Sequence, residues 1–322
     1  MKILGAIGGL VGLSLLVALT AYYGFASVVD ALVSSRWGTP LVVAARAIAL
    51  AGAGAGWYLL VTPRQRRPAI FVGLRFIRDA INTLVPFAMV GGDIIGARLL
   101  SHFGVALNLA IASVLVDIFL QVVCLMIFLL VGLAIVLDLA GSHHLTNVAM
   151  AILAIAVPAV IGFFLTLNFG AFESVVGWLV ARGEKHQWAI FDHVVDLGGR
   201  LQQVWNGHRN LLVSFLVHLV TVFFGATEVW LALFFMGYPV TPLEAVAIEG
   251  LGQGTRAAAF VLPGGLGVQD GTLIAVSALF GVPAEVALAM ALIKRVPDLV
   301  LGIPSLMAWQ VLEGRRLLVR VK

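Results

Sequence analysis

At 322 residues, 61% of them apolar and 11% charged, with a mean hydropathy of +1.07, the chain is far from the roughly 45–50% apolar and about 25% charged of soluble domains. A water-soluble globule of this size could not hide so much apolar surface, so lipid is its solvent, and a soluble enzyme, a nucleic-acid binder and a disordered scaffold are excluded. The single cysteine, Cys124, excludes an internal disulfide framework and a cysteine-rich zinc site, and the formal charge of +4 matters less than where Lys and Arg lie.

A spanning helix needs about 20 mostly apolar residues. In chain order such stretches fall at about 4–26, 39–62, 104–137, 147–168, 210–236 and 284–312. Two more, about 71–100 and 243–282, are interrupted by Pro, Gly and charge. The first stretch reads as a span and not a cleaved signal peptide, because its loss would leave an odd number of spans. Arg64, Arg66 and Arg67 follow the second span, Arg182, Lys185, Arg200 and Arg209 lie between the fourth and fifth, and Arg315, Arg316, Arg320 and Lys322 end the chain. The loops 138–147 and 236–245 carry neither Lys nor Arg. The positive-inside rule then puts both termini in the cytoplasm, provided each interrupted stretch enters and leaves on one side.

Between the fourth and fifth spans, 171–209 reads as a cytoplasmic linker. From Phe191, Val194, Val195, Leu201 and Trp205 recur at helical spacing opposite Asp192, Asp196, Arg200 and Gln203. That pattern predicts a helix lying in the headgroup layer.

The two interrupted stretches share a motif. Pro86 is followed by Gly91, Gly92 and Asp93; Pro263 is followed by Gly264, Gly265, Gly267, Gln269 and Asp270. In both, the Asp stands seven residues after the Pro, and Arg78 or Arg256 precedes the Pro at nearly equal distance. Pro interrupts a helix, glycine permits a reversal, and irregular backbone at membrane depth is tolerated only inside protein or beside a wet cavity. The expected architecture is therefore an all-α, polytopic membrane bundle forming one domain over 1–322. Within it, 39–137 is a first repeat, 171–209 the linker and 210–312 an inverted second repeat, each repeat holding a re-entrant, Pro/Gly-broken hairpin. Paired broken segments are the sequence pointer to a transporter's central site.

Ionisable residues at membrane depth need partners or water. Arg75 and Asp79, Arg78 and Asn82, and Lys294 and Asp298 are each four apart and could meet along one helix face. Glu249, Gln253 and Arg256 share a stripe, Arg295 adjoins Lys294, and Asp117, Gln121 and Glu228 complete the polar set. Arg46 reads as snorkelling outward. Two roles stay open for the charges: a hydrated cavity that meets a polar headgroup, or neutralised pairs that lock the halves together. Asp93 and Asp270 have no local partner, which favours the first role for them. His143 and His144 lie in an outer loop, and His102, His186, His193, His208 and His218 fall on separate elements, so no catalytic constellation emerges. No P-loop lysine motif and no metal-ligand spacing is present.

The stretches LRFIRDAINTLVPFAMVGGDIIGARLL (74–100), IEGLGQGTRAAAFVLPGGLGVQDGTLIAVSALFG (248–281) and LIKRVPDLVLGIPSLMAWQ (292–310) resemble the transmembrane flippase-like family named for the membrane region of lysylphosphatidylglycerol synthases. They are most similar to its hopanoid-biosynthesis-associated HpnL-type branch. Relatives usually carry Glu where this chain has Asp93 and Asp270. The resemblance implies a bacterial inner-membrane flippase or transporter for a hopanoid-type lipid or a phospholipid, without a cofactor, a metal or a nucleic-acid partner. It does not imply aminoacyl transfer, which resides in a separate soluble domain of the two-domain synthases. A membrane enzyme acting on a lipid headgroup and a non-transporting scaffold for lipid-synthesis enzymes are the alternatives.

Overall fold

The computed structural model describes residues 35–61, 67–85, 91–140, 197–258 and 267–320, with a few isolated positions besides. The expected spans at 4–26 and 147–168, Arg64 and Arg66, His143 and His144, and most of the expected linker lie outside the described residues. In chain order the helices are α1 (Gly38–Leu59), α2 (Pro68–Leu84), α3 (Gly91–His102), α4 (Leu107–Ala140), α5 (Leu197–Trp205) and α6 (His208–Phe224). These are followed by α7 (Ala226–Phe235), α8 (Pro242–Ala258), α9 (Val268–Leu279), α10 (Ala284–Ile293) and α11 (Val296–Arg320). No strand occurs among the described residues.

Among the described residues, three stretches are long and apolar enough to cross a membrane: α1, Leu107–Asp138 of α4, and His208–Phe235. The last joins α6 to α7 through Gly225, whose φ of −56° and ψ of −27° keep it helical. Large apolar side chains such as Ile48, Val220 and Met307 are exposed on the outside, where lipid rather than water makes their exposure favourable.

Helices α2 and α8 have 17 described residues each and α3 and α9 have 12 each. They pack in pairs, α2 on α3 and α8 on α9. In the first pair Asn82 meets Gly92 and Arg78 meets Gly96, which makes the two helices antiparallel.

The expected span 284–312 is not one helix. The N–H groups of Lys294 and Arg295 bond to the carbonyls of Met290 and Leu292, and α11 then starts anew at Val296. Pro297, in the first turn of α11, has no N–H to give the carbonyl of Ile293, and its ring crowds that turn. The interruption frees Lys294 and Arg295 to reach across to α8 and α9.

Helix α5 follows the expected period, with Leu197, Leu201 and Val204 buried and Gln202 and Gln203 exposed. Its apolar face packs on α4, where Trp205 meets the Phe119 ring edge-on at 5.5 Å.

Apolar packing divides into two cores. One gathers Trp57, Phe71, Ile77, Leu100, Val116 and Leu201 around α2 and α3. The other gathers Phe128, Leu233, Ile248, Leu273, Leu288 and Ile293 around α8 to α10. Helices α1 and α4 contribute to both. At the α4–α8 crossing a Cβ on Gly250 would stand 2.9 Å from the Phe128 carbonyl oxygen. Glycine there lets the two backbones approach in the small-residue manner of membrane helix pairs.

Candidate functional site: a charged cavity between two cores

Between the cores lies a cavity of about 390 Å³, room for roughly a dozen waters and within the size range of ligand sites. Its wall alternates polar and apolar stretches. Arg46 enters from α1, Arg75, Arg78, Asp79 and Asn82 from α2, and Asp93 from α3. Gln121 of α4, His218 and Thr221 of α6, Glu228 of α7, and Glu249, Gln253 and Arg256 of α8 face them. A smaller space of about 20 Å³ adjoins it, sharing Arg46, Glu228, Gln253 and Arg256 and adding Gln269, Asp270, Lys294, Arg295 and Asp298.

On the first side the charges are densely paired, with Arg75 Nε the buried atom left without a hydrogen bond among the described residues. Arg78, 1% exposed, donates from Nε and Nη2 to Asp93 Oδ1 at 2.9 and 2.6 Å and from Nη1 to Asp117 Oδ2 at 2.9 Å. Its guanidinium lies 4.6 Å from the Trp57 ring centroid, and Trp57 is itself held by its indole N–H to Ser113 Oγ at 3.1 Å. Asn82 donates to Asp93 Oδ2 at 3.1 Å and accepts the Gly92 N–H at 2.9 Å. A Cβ at Gly92 would overlap the Arg78 carbonyl oxygen and stand 2.6 Å from Asn82 Oδ1, so only glycine allows α3 to start this close. Asp117, fully buried, also takes Gln121 Nε2 at 2.7 Å and His218 Nε2 at 3.0 Å. Arg75 donates to Gln121 Oε1 at 2.6 Å. Charges buried this deeply stand only when paired and hydrogen-bonded.

The second side is wired from farther away. Asp270 accepts two hydrogen bonds at 2.8 Å from Arg295 Nη2 and one, also 2.8 Å, from the Gly267 N–H. The last closes the first turn of α9, and Gly267 has a φ of +79°, the left-handed region that glycine reaches without strain. Lys294 Nζ binds Glu249 Oε2, whose Oε1 takes Gln253 Nε2 at 2.8 Å. Arg46 is divided among Asp79, Glu228 and Asp298 at 3.8, 3.7 and 3.6 Å, all beyond hydrogen-bond length. Arg256 lines both spaces and has no ion pair or hydrogen bond among the described residues.

The cavity and its smaller annex thus gather Arg78, Asn82, Asp93, Glu249, Gln253, Arg256, Gln269, Asp270, Lys294, Arg295 and Asp298. Gly91, Gly92 and Gly267 belong to the helix starts that support them, while Pro86, Pro263, Gly264 and Gly265 lie outside the described residues. Three expectations are corrected. Arg46 points inward to three carboxylates instead of snorkelling. Asp93 and Asp270 do have partners, Arg78 and Arg295. The local pairs Arg75–Asp79, Arg78–Asn82 and Lys294–Asp298 are replaced by pairs between elements, because packing brings a better-matched charge from a neighbouring helix. Asp117 was expected in the polar set at membrane depth but not as a site residue, and His218 was expected on an element of its own; their pairing at 3.0 Å joins helices that sequence spacing does not connect.

Comparisons with curated proteins and with solved structures yield no match. Residues 5–304 match the model of the family described as the lysylphosphatidylglycerol synthase TM region, and the chain, a membrane protein, belongs to that family.

Proposed function

We propose that the protein moves a polar-headed lipid, a phospholipid or a hopanoid-type lipid, between the leaflets of a bacterial inner membrane. The observation that carries this reading is the charged cavity of about 390 Å³ between two apolar cores, because leaflet exchange needs a polar place for a headgroup inside the apolar layer. Family membership is consistent with a lipid as the partner. The two motif-linked helix pairs, α2 on α3 and α8 on α9, support two inverted repeats at 39–137 and 210–312, each with a re-entrant hairpin. The arginine distribution supports a multi-pass chain with both termini cytoplasmic.

In this scheme Arg78, Lys294 and Arg295 hold the carboxylates of the site in place, as Asp93 and Asp270 hold them. Arg256, with no protein partner among the described residues, contacts the phosphate of the headgroup, as a cation aimed into a water-filled cavity can. Asn82, Gln253 and Gln269 supply neutral hydrogen bonds to hydroxyls.

Translocation of fluorescent phosphatidylglycerol in proteoliposomes, read by dithionite quenching, tests the reading. Wild-type protein is expected to expose inner-leaflet dye far faster than protein-free vesicles. Arg256→Gln is expected to slow that exchange at least tenfold, about 1.4 kcal/mol, with the fold intact. Wild-type exchange no faster than empty vesicles would remove the function; an unchanged Arg256→Gln would remove the residue from it.

A further inference from the structure

The ion-pair pattern leaves one carboxylate short. Glu228 lies in the first turn of α7 with its side chain 2% exposed, and it lines both the cavity and the smaller space. Its Oε1 has no hydrogen-bond partner among the described residues. The cation that reaches it, Arg46 at 3.7 Å, is shared with Asp79 and Asp298.

Among the described residues, no neighbouring element offers a spare charge except α8. Lys294 is taken by Glu249, which also holds Gln253. His218 of α6 is held by Asp117, and Arg75 by Gln121 and Asp117. Four carboxylates, Asp79, Glu228, Glu249 and Asp298, therefore face three cations, Arg46, Arg256 and Lys294. The other charges balance: Arg75 and Arg78 against Asp93 and Asp117, and Arg295 against Asp270.

One proton removes both deficits at once. A protonated carboxyl can donate where the ionised oxygen has no donor to accept from, and the cluster becomes neutral. A metal ion would need several converging ligands, and no group of three His, Cys, Asp or Glu side chains placed to hold one occurs among the described residues.

We propose that Glu228 is a proton-carrying site that admits a phosphate-bearing headgroup to the cavity in its protonated form, so that lipid and proton cross together. This rests on the translocation reading above. Glu228 takes a proton from a hydronium ion in the cavity, leaving water. It returns the proton to water on the far side as the lipid departs, and no bond of the lipid breaks. With Glu228 neutral, Arg256 is no longer outweighed by a surplus carboxylate and is free to meet the phosphate.

Two measurements test the proposal independently. Infrared titration of the purified protein is expected to show a protonated-carboxyl band that rises as pH falls. The band should be absent in Glu228→Gln and shifted in Glu228→Asp, with both variants monodisperse on size exclusion. Spectra identical in wild type and Glu228→Gln across the titration overturn the proposal whether or not lipid moves. In proteoliposomes with fluorescent phosphatidylglycerol, a gradient of one pH unit is expected to shift the leaflet ratio up to tenfold toward the alkaline side. Glu228→Gln is expected to abolish that bias. Rapid exchange that ignores the pH gradient, or that follows a sodium gradient instead, overturns proton coupling. Absence of all exchange with the Glu228 band present keeps the proton site and removes the translocation reading.

Discussion

Asp93 and Asp270 each occupy the third position of a 12-residue helix with glycine at or just before its start, yet they are wired in opposite ways. Asp93 is clamped by Arg78 from its own hairpin, whereas Asp270 is clamped by Arg295 from outside it. Arg78 precedes Asp93 by 15 residues and Arg256 precedes Asp270 by 14, yet only the first of these pairs meets. Arg256 faces the cavity with no partner among the described residues, and the second side takes its clamp from the interrupted α10–α11 junction instead. The first side is a closed electrostatic knot; the second has an unengaged cation and an under-satisfied carboxylate. Ligand and proton exchange, as proposed, belong to the second.

Removing a charge from each side should separate them most. Asp117→Ala leaves Arg75 and Arg78 buried without their shared carboxylate, and a loss of about 3–5 kcal/mol is expected. Asp298→Ala, which removes one of three distant claimants on Arg46, should cost about 1 kcal/mol or less. Thermal unfolding in detergent reads both, and equal losses would contradict the contrast. A smaller effect should follow at the helix starts. Gly92→Ala drives a methyl into the Arg78 carbonyl and Asn82, costing about 1–3 kcal/mol. Gly271→Ala on α9 meets nothing within 4 Å and should be neutral or gain up to about 1 kcal/mol from helix propensity. The smallest change is expected outside the cavity. Glu313→Gln breaks the Arg98–Glu313 pair, whose arginine is 62% exposed, and should shift stability by less than about 1 kcal/mol.

The helices were legible in the sequence because hydropathy and the positions of Pro and Gly act locally. The bounds of α1, α4 and the α6–α7 stretch lie within a few residues of the expected spans, and each motif-bearing stretch holds a helix pair. The partners were not legible. Spacing of four reports only which residues share a helix face, so it offered Asp79 to Arg75 and Asp298 to Lys294. Packing instead carries both carboxylates to Arg46 and brings Glu249 to Lys294. Arg46 itself looked like a lone cation at a lipid-facing position, because the three acids that claim it are at least 33 residues away in the chain. The interruption at Lys294 and Arg295 did have a local sign, Pro297, masked by the apolar run on both sides.

Native mass spectrometry of the purified protein tests the central claim most directly, since it asks whether the hollow beside Arg256 holds a headgroup. One phosphate-bearing lipid per chain is expected to survive release from detergent with wild type and Asp298→Ala, and to be lost with Arg256→Gln. Equal lipid retention in Arg256→Gln and wild type, or none in either, would contradict it.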